Sequence, residues 1–172
     1  MPVDLKSKIR DIPDFPKRGI VFKDIMPLLA DPEALHETVE QLAEFAEPRR
    51  PDYILGAEAR GFILGAALAY RLNCGFVAAR KPGKLPWRTV SAKYALEYGF
   101  DALEVHADAI KSRSRVLIHD DLLATGGTAK AKVDLVEQLG GEVVGLAFVI
   151  ELEFLHGREQ LDGYDVISLI KY

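Results

Sequence analysis

The chain has 172 residues, which is the size of one ordinary domain. Its 49% of hydrophobic and 28% of charged residues suit a buried core under a hydrated surface, which argues against intrinsic disorder. The 22 Lys and Arg against 26 Asp and Glu leave a net charge of −4, so the composition does not favour general nucleic-acid binding.

The compartment is indicated by the cysteine count and by the absence of long apolar segments. Cys74 is the only cysteine, which excludes an internal disulfide and fits a reducing environment. The longest apolar stretch, from Gly61 to Tyr70, is far shorter than the roughly 20 residues that span a bilayer. The first residues lack the apolar segment of a secretory signal. We therefore expect a cytoplasmic protein without a membrane or nucleic-acid partner.

The first 30 residues show no regular pattern, because Pro13, Pro16 and Pro27 interrupt any long helix. Asp31 and Pro32 then form the start of a helix, with an N-cap aspartate followed by proline. Its apolar face consists of positions spaced three or four apart: Leu35, Val39, Leu42 and Ala46.

After this helix, short apolar runs alternate with helical patterns. Strands are predicted at 53–56, 76–79, 115–119, 143–150 and 165–170, helices at 61–72 and 128–139, a polar loop at 80–91, and hairpin arms at 95–98 and 103–106. This alternation predicts a single α/β domain over residues 1–172, with a central, mainly parallel sheet flanked by helices. Because ligands bind beyond the carboxyl ends of such strands, residues just after 56, 79 and 119 are expected to form the site.

The most informative segment follows the predicted strand at 115–119. Two adjacent carboxylates, Asp120 and Asp121, precede the loop Ala124–Thr128, which is rich in Gly and Thr and opens a helix. Accessible backbone N–H groups, Thr hydroxyls and the positive end of a helix suit a dianionic phosphate. Ionised carboxylates accept hydrogen bonds from neighbouring sugar hydroxyls. The segment therefore predicts a site for ribose 5-phosphate.

Thr125–Thr128 alone fits an ordinary strand–turn–helix connection, in which glycine relieves backbone strain. The acidic pair before it favours the binding site over this interpretation. The chain contains neither a Gly-x-x-x-x-Gly-Lys loop nor a Gly-x-Gly-x-x-Gly motif, which argues against nucleoside triphosphate and dinucleotide sites.

The segment from 116 to 128 closely resembles the phosphoribosyl-pyrophosphate motif of type I phosphoribosyltransferases, and of their adenine-specific members in particular. The resemblance covers most of the chain. Its further parts, in chain order, are Phe15-Pro16, Gly19–Ile25, Glu58–Phe62, Arg80–Pro86 and Leu96–Gly99. It implies the type I phosphoribosyltransferase fold, with residues 1–30 in a hood over the base and a flexible hairpin loop.

The resemblance also implies a reaction, in which adenine and 5-phosphoribosyl-1-pyrophosphate give AMP and pyrophosphate in purine salvage. Positive charge develops on the ribose and negative charge on the leaving group, so catalysis requires stabilising both and excluding water. Magnesium is expected to arrive with the pyrophosphate, held by substrate oxygens and water rather than directly by the protein. Family members take some site residues from a neighbouring subunit, which implies a homodimer.

By the same resemblance, Asp120 and Asp121 are catalytic residues that engage the ribose hydroxyls and favour a cationic sugar. The residues expected to bind phosphoribosyl pyrophosphate are Ala124, Thr125, Gly126, Gly127 and Thr128 at the 5-phosphate, and Arg60, Arg80, Lys81 and Lys84 at the pyrophosphate. From charge alone, residues 80–84 would be a solvated basic loop.

Glu97 is the third catalytic residue that the resemblance implies. In the family this glutamate lies on a mobile loop and hydrogen-bonds adenine N7, where a carboxylate can assist loss of the N9 proton. Adenine recognition is expected from backbone groups of Val21 and Lys23, the ring of Phe22 and the side chain of Leu152. A fixed donor–acceptor pair rejects a base with the reversed pattern. Without the resemblance, Glu97 would be an ordinary surface residue, and Val21 and Phe22 ordinary core residues.

Two alternatives stay open at this point. The first is phosphoribosyl transfer to another nucleobase, such as guanine, hypoxanthine, xanthine or uracil. The second is a non-catalytic, nucleotide-sensing regulator of the same fold that binds nucleic acid. The acidic net charge and the retained Glu97 argue against the regulator.

His119 departs from the family pattern, which usually has an aliphatic residue before the acidic pair. Alternation along the strand places His119 on the same face as Asp121 and opposite Asp120. Because adjacent side chains on one strand diverge, we expect a hydrogen-bonded structural histidine rather than a His-Asp-Asp metal site. Glu58 stands where relatives also carry aspartate, and its role stays open.

Overall fold

The computed structural model describes residues 2–96 and 98–172. Glu97 therefore lies outside the described residues, and its expected role stays a prediction. The helices of the described residues are α1 (Met26–Ala30), α2 (Pro32–Ala46), α3 (Arg60–Leu72) and α4 (Gly127–Gln138). The strands are β1 (Arg10–Ile12), β2 (Phe22–Asp24), β3 (Tyr53–Ala57), β4 (Gly75–Ala79), β5 (Thr89–Ala95), β6 (Phe100–His106), β7 (Arg115–Leu123), β8 (Glu142–Glu151) and β9 (Val166–Lys171).

The central sheet is parallel throughout its described strands, in the order β4-β3-β7-β8-β9. Its three central strands, β3, β7 and β8, are mostly buried on both faces, as their continuous apolar sequences predict. On one face, Val116 and Ile118 of β7 pack against α4. On the other, Leu117 packs against α2 and α3. The predicted α/β fold with helices on both faces is confirmed.

Helix α2 begins where its sequence predicts. The side chain of Asp31 accepts hydrogen bonds from the backbone N–H groups of Glu33 and Ala34, at 3.0 and 3.2 Å. Leu42 and Ala46 on its apolar face have no exposed surface. The cap satisfies N–H groups that the first helical turn leaves unpaired, and the buried face attaches the helix to the sheet.

The N-terminal segment contains more regular structure than its prolines predict. Strands β1 and β2 pair antiparallel, and α1 follows at once. Ile25 and Leu28 are fully buried in a cluster with residues of α3, β8 and β9. The first 30 residues are therefore docked on the sheet domain by apolar contacts, which single-chain periodicity does not reveal.

Two predicted boundaries differ from the structure. Strand β7 continues to Leu123, because its pairing with β8 proceeds through Asp120 opposite Phe148 and Leu122 opposite Ile150. The acidic pair thus lies within the strand, not after it. The hairpin exists, but its first arm, predicted at 95–98, is wrong: β5 covers 89–95, and Leu96 donates to the Gly99 carbonyl in the turn. In the described part of the chain, no helix has the length and apolar character needed to cross a membrane.

Candidate active site

A cavity of about 570 Å³ lies at the carboxyl ends of β3 and β7, where parallel α/β sheets place their ligands. Three segments line it: Glu58–Arg60 after β3, Tyr94–Leu96 from the hairpin, and Asp120–Thr128 from β7 to the start of α4. The cavity therefore brings together Arg60, the acidic pair and the whole predicted phosphate loop.

The acidic pair is fixed by cations on both sides. The Lys132 ammonium donates to Asp120 Oδ2 at 2.8 Å, and the Asp121 backbone N–H donates to Asp120 Oδ1 at 2.9 Å. On the other side, Arg60 Nε donates to Asp121 Oδ2 at 2.6 Å. Strand alternation explains the arrangement, since Asp120 points to α4 and Asp121 to α3. Each carboxylate keeps lone pairs for a further donor.

The two carboxyl groups are electrostatically different. Burial and the adjacent charge of Asp120 raise the pKa of Asp121 to about 7, with Arg60 acting against them. Burial also acts to raise the pKa of Asp120, but the charge of Lys132 and the hydrogen bonds from Asp121 and Lys132 together outweigh burial and hold that pKa below its ordinary value. Near pH 7, Asp120 is therefore ionised, whereas Asp121 exchanges between its protonated and ionised forms.

The predicted phosphate loop connects β7 to α4. Gly126 adopts φ +90°, and no side chain among the described residues caps α4. The first N–H groups of the helix are thereby left to bind an anion, with the helix dipole behind them. Gln160 donates to the Thr125 carbonyl at 2.8 Å and fixes the loop from outside. The geometry suits a phosphate group.

The other basic residues expected to bind pyrophosphate do not line this cavity: Arg80, Lys81 and Lys84. Glu58 holds the segment that begins at Arg80, since its Oε1 accepts the Lys81 backbone N–H at 2.7 Å and lies 3.3 Å from Arg80 Nε. These contacts also keep the pKa of Glu58 low, the backbone hydrogen bond most of all. Lys81 Nζ donates to Tyr94 and Asp101, and Lys84 is exposed. Glu58, whose role the sequence leaves open, thus anchors the basic loop.

The residues expected to recognise adenine do not line the cavity. The guanidinium of Arg60 lies 5.2 Å from the centre of the Phe22 ring, which places Phe22 beside a cavity residue. Val21 is 49% exposed. The side chain of Lys23 is engaged elsewhere, with Nζ 2.7 Å from Asp11 Oδ1. Leu152 is tied to the end of β7 by a hydrogen bond to the Leu123 carbonyl.

His119 is buried and neutral. It has no exposed surface, and its Nδ1 donates to the Ala147 carbonyl at 2.9 Å. Burial lowers its pKa to about 4. The prediction of a hydrogen-bonded structural histidine is confirmed. Among residues 2–96 and 98–172, no group of three or more His, Cys, Asp and Glu side chains is placed to hold a metal ion.

Sequence reasoning missed Lys132, Gly157 and Gln160. A signal existed for Lys132, which lies on the helical face of Ala129, Val133 and Val136 and is a charged residue in an apolar stripe. The Gly157 backbone packs against Gly126, and Gln160 binds the Thr125 carbonyl. Both residues lie some thirty residues beyond the loop, and no local pattern predicts these contacts.

Comparisons with known proteins cover nearly the whole chain. The phosphoribosyl transferase domain family matches residues 31–170. A curated adenine phosphoribosyltransferase of Thermotoga maritima is 57% identical over 170 residues, which are 99% of this chain and 98% of the relative.

Solved structures agree with these relatives. A crystal structure of adenine phosphoribosyltransferase from Thermoanaerobacter pseudethanolicus has a TM-score of 0.96 and 58% identity, covering 98% of both chains. The Saccharomyces cerevisiae enzyme, complexed with an imino-altritol bisphosphate and adenine, has a TM-score of 0.92 and 40% identity, covering 96% of both chains.

Proposed function

The chain belongs to the adenine phosphoribosyltransferases of the phosphoribosyltransferase family, and we propose that it performs their reaction. This pentosyltransferase reaction moves the 5-phosphoribosyl group of 5-phosphoribosyl-1-pyrophosphate to N9 of adenine. AMP and pyrophosphate are the products, as purine salvage requires. The observation that carries the proposal is the shared cavity, in which a helix start without a side-chain cap lies next to an acidic pair.

Ala124, Thr125, Gly126, Gly127 and Thr128 bind the 5-phosphate in this proposal. Their support is the loop geometry, with its N–H groups at the start of α4. The ribose then lies toward the acidic pair, where the carboxylates accept hydrogen bonds from its hydroxyls. The cavity, of about 570 Å³, is large enough for a sugar phosphate, and Arg60 and residues of the hairpin also line it.

The chemical step breaks the bond between C1 of the ribose and the pyrophosphate oxygen, while adenine N9 forms a bond to C1. Positive charge develops on the sugar, and the negative charges of Asp120 and Asp121 stabilise it. Arg60 takes up negative charge on the departing pyrophosphate. Its side chain is 42% exposed and is already at the cavity, which supports this role.

Magnesium fits this site as a substrate-borne ion. The carboxylates of Asp120 and Asp121 keep lone pairs besides their cation contacts and can accept hydrogen bonds from the water ligands of the ion, which substrate oxygens and water hold. When bound to the substrate, the ion neutralises charge on the pyrophosphate.

Adenine binds next to the hood in this proposal, with the ring of Phe22 against the base and backbone groups of Val21 and Lys23 reading its edge. Leu152 closes the other side. The position of Phe22 beside Arg60 supports this placement. Glu97 accepts from adenine N7, by its match to the family motif, and assists loss of the N9 proton.

The proposal includes a homodimer in the cytoplasm. Arg80, Lys81 and Lys84 lie outside the cavity that Arg60 lines, which supports a role for this loop at the site of a partner subunit. The free, half-buried Cys74 thiol, whose pKa burial raises, supports a reducing compartment.

A base panel tests the proposed function. The protein is incubated with phosphoribosyl pyrophosphate, Mg²⁺ and one base at a time: adenine, guanine, hypoxanthine, xanthine or uracil. AMP should form at least about 100-fold faster than any other nucleotide, because a mismatched base leaves buried polar groups unpaired. Comparable turnover of another base would contradict adenine specificity. A salt-dependent gel shift without any turnover would instead support the regulator.

A further inference from the structure

Lys132 of α4 is the most deeply buried charged side chain of the site. Its side chain has no exposed surface, and Nζ donates to Asp120 Oδ2 at 2.8 Å. Within the described part of the chain, Asp120 is its only hydrogen-bond acceptor. Lys132 does not line the cavity, whereas Arg60 lines it and binds the other aspartate of the pair.

Packing alone does not explain a lysine at this position. Its neighbours on the same helical face are apolar, among them Ala129, Val133 and Val136, and all are buried. Moving an ammonium out of water is costly, and a buried ion pair is often no more stable than apolar residues of similar volume. A methionine would fill the same space without that cost, so the charge itself requires an explanation.

We propose that Lys132 is a positioning residue for phosphoribosyl transfer: it holds the Asp120 carboxylate in place and charged, and through Asp120 it governs the ionisation of Asp121. The inference rests on the proposed function and extends it to a residue that does not touch the substrate. Because Asp120 binds Lys132 through Oδ2 and the Asp121 backbone N–H through Oδ1, its orientation is fixed at both oxygens.

The two cations of the pair have different tasks. Arg60 is partly exposed at the cavity and is proposed to contact pyrophosphate. Its hydrogen bond to Asp121 therefore competes with its contact to the substrate. Lys132 is fully buried and does not line the cavity, so its ammonium stays on Asp120. When Arg60 engages pyrophosphate, Lys132 is the cation that still balances the two aspartates.

The ionisable groups around the pair come from every element packed against it. They are Glu58 and Arg60 from the β3–α3 connection, Tyr94 from the hairpin, His119 on β7 and Lys132 on α4. His119 is neutral near pH 7, since burial lowers its pKa to about 4. Removing the Lys132 charge leaves the two carboxylates with Arg60 alone. The pair should then hold its proton to higher pH, since an opposite charge within hydrogen-bond distance favours the ionised form.

The test is a pH profile of the substitution Lys132→Met. In the wild type, kcat/KM should rise with pH as Asp121 of the free enzyme ionises, with a midpoint near its pKa of about 7. In the variant this acid limb should move upward by about one pH unit or more, and kcat/KM at pH 7 should fall about fivefold or more. The matched control is Lys130→Met on the same helix, which removes an exposed pair with Asp134 and should leave the limb unmoved.

A double variant keeps the test decisive if Lys132→Met folds poorly. D120N leaves the ammonium without its carboxylate, and D120N/K132M replaces both buried charges by neutral groups of similar size. If Lys132 acts through Asp120, the double variant is no slower than D120N. An unmoved acid limb in Lys132→Met, or a double variant clearly slower than D120N, would overturn the proposal. Loss of AMP formation in the wild type would instead refute the proposed function.

Discussion

His119 lies next to the acidic pair and still takes no part in the proposed chemistry. The strand directs its ring away from Asp120 into the layer between β7 and α3, where its Cδ2 lies 3.5 Å from where a Cβ on Gly65 would be. Its Nδ1 is satisfied by Ala147, and its Nε2 has no hydrogen-bond partner among the described residues. A proton on Nε2 would therefore be buried without an acceptor, which explains the low pKa.

His119→Val should make folding less sensitive to acid. Burial lowers the pKa of His119 from 6.5 to about 4. Between these two pH values, the imidazole is therefore protonated in the unfolded chain and neutral in the folded chain. The folded state thereby loses stability as pH falls, by about 2 kcal/mol at pH 5. Valine removes this loss. The melting temperature of the variant minus that of the wild type should therefore be roughly 5 °C larger at pH 5 than at pH 7.

Calorimetry at both pH values checks this expectation. The lost hydrogen bond and the smaller side chain shift the variant by the same amount at every pH, so only the change with pH is diagnostic. Melting temperatures that stay parallel would show that His119 is protonated in the folded protein.

At the scale of elements, the phosphate loop depends on a segment from the far end of the chain. The carbonyl of Gly157 lies 2.5 Å from where a Cβ on Gly126 would be. Gly126 also has φ +90°, a conformation that glycine adopts without strain. The turn at 157–161 thus supports the loop against which the phosphate is proposed to bind.

Gly126→Ala should weaken the binding of phosphoribosyl pyrophosphate, raising its KM at least about tenfold, because the methyl group displaces the loop from its N–H geometry. Gly163→Ala is the matched control. Gly163 has φ +89° but no atom within 4 Å of an added Cβ, so alanine there has the same backbone strain without the clash. Steady-state kinetics of both variants separate the two effects, and an equal change in KM would contradict the account.

Strand β7 illustrates how far local patterns reach. The apolar run from 115 to 119 correctly predicts a buried strand, and the Gly-rich sequence correctly predicts the start of α4. The strand nevertheless continues through Asp120 and Asp121, because backbone pairing with β8 does not depend on side-chain polarity. Lys132 was missed for a related reason: only the fold shows that its helical face meets the acidic pair.

At the scale of the whole molecule, the fold brings distant segments to one end of the sheet. Strands β3 and β7 are neighbours although they are some sixty residues apart in the chain, and this pairing places Arg60 beside Asp121. From α2 onward, the order of strands and helices could be predicted from the sequence, because each is a local pattern. The docking of residues 1–30 on α3, β8 and β9 could not, because it depends on contacts across the whole chain.

In the proposed site, one cavity holds the phosphate at the start of α4 and the ribose at the acidic pair. A crystal structure with bound AMP tests it most directly. We expect phosphate oxygens about 3 Å from the backbone N–H groups of Gly126–Thr128, with the ribose hydroxyls at Asp120 and Asp121 and the base toward Phe22. AMP bound outside this cavity, or with its phosphate on the Arg80–Lys84 loop, would contradict it.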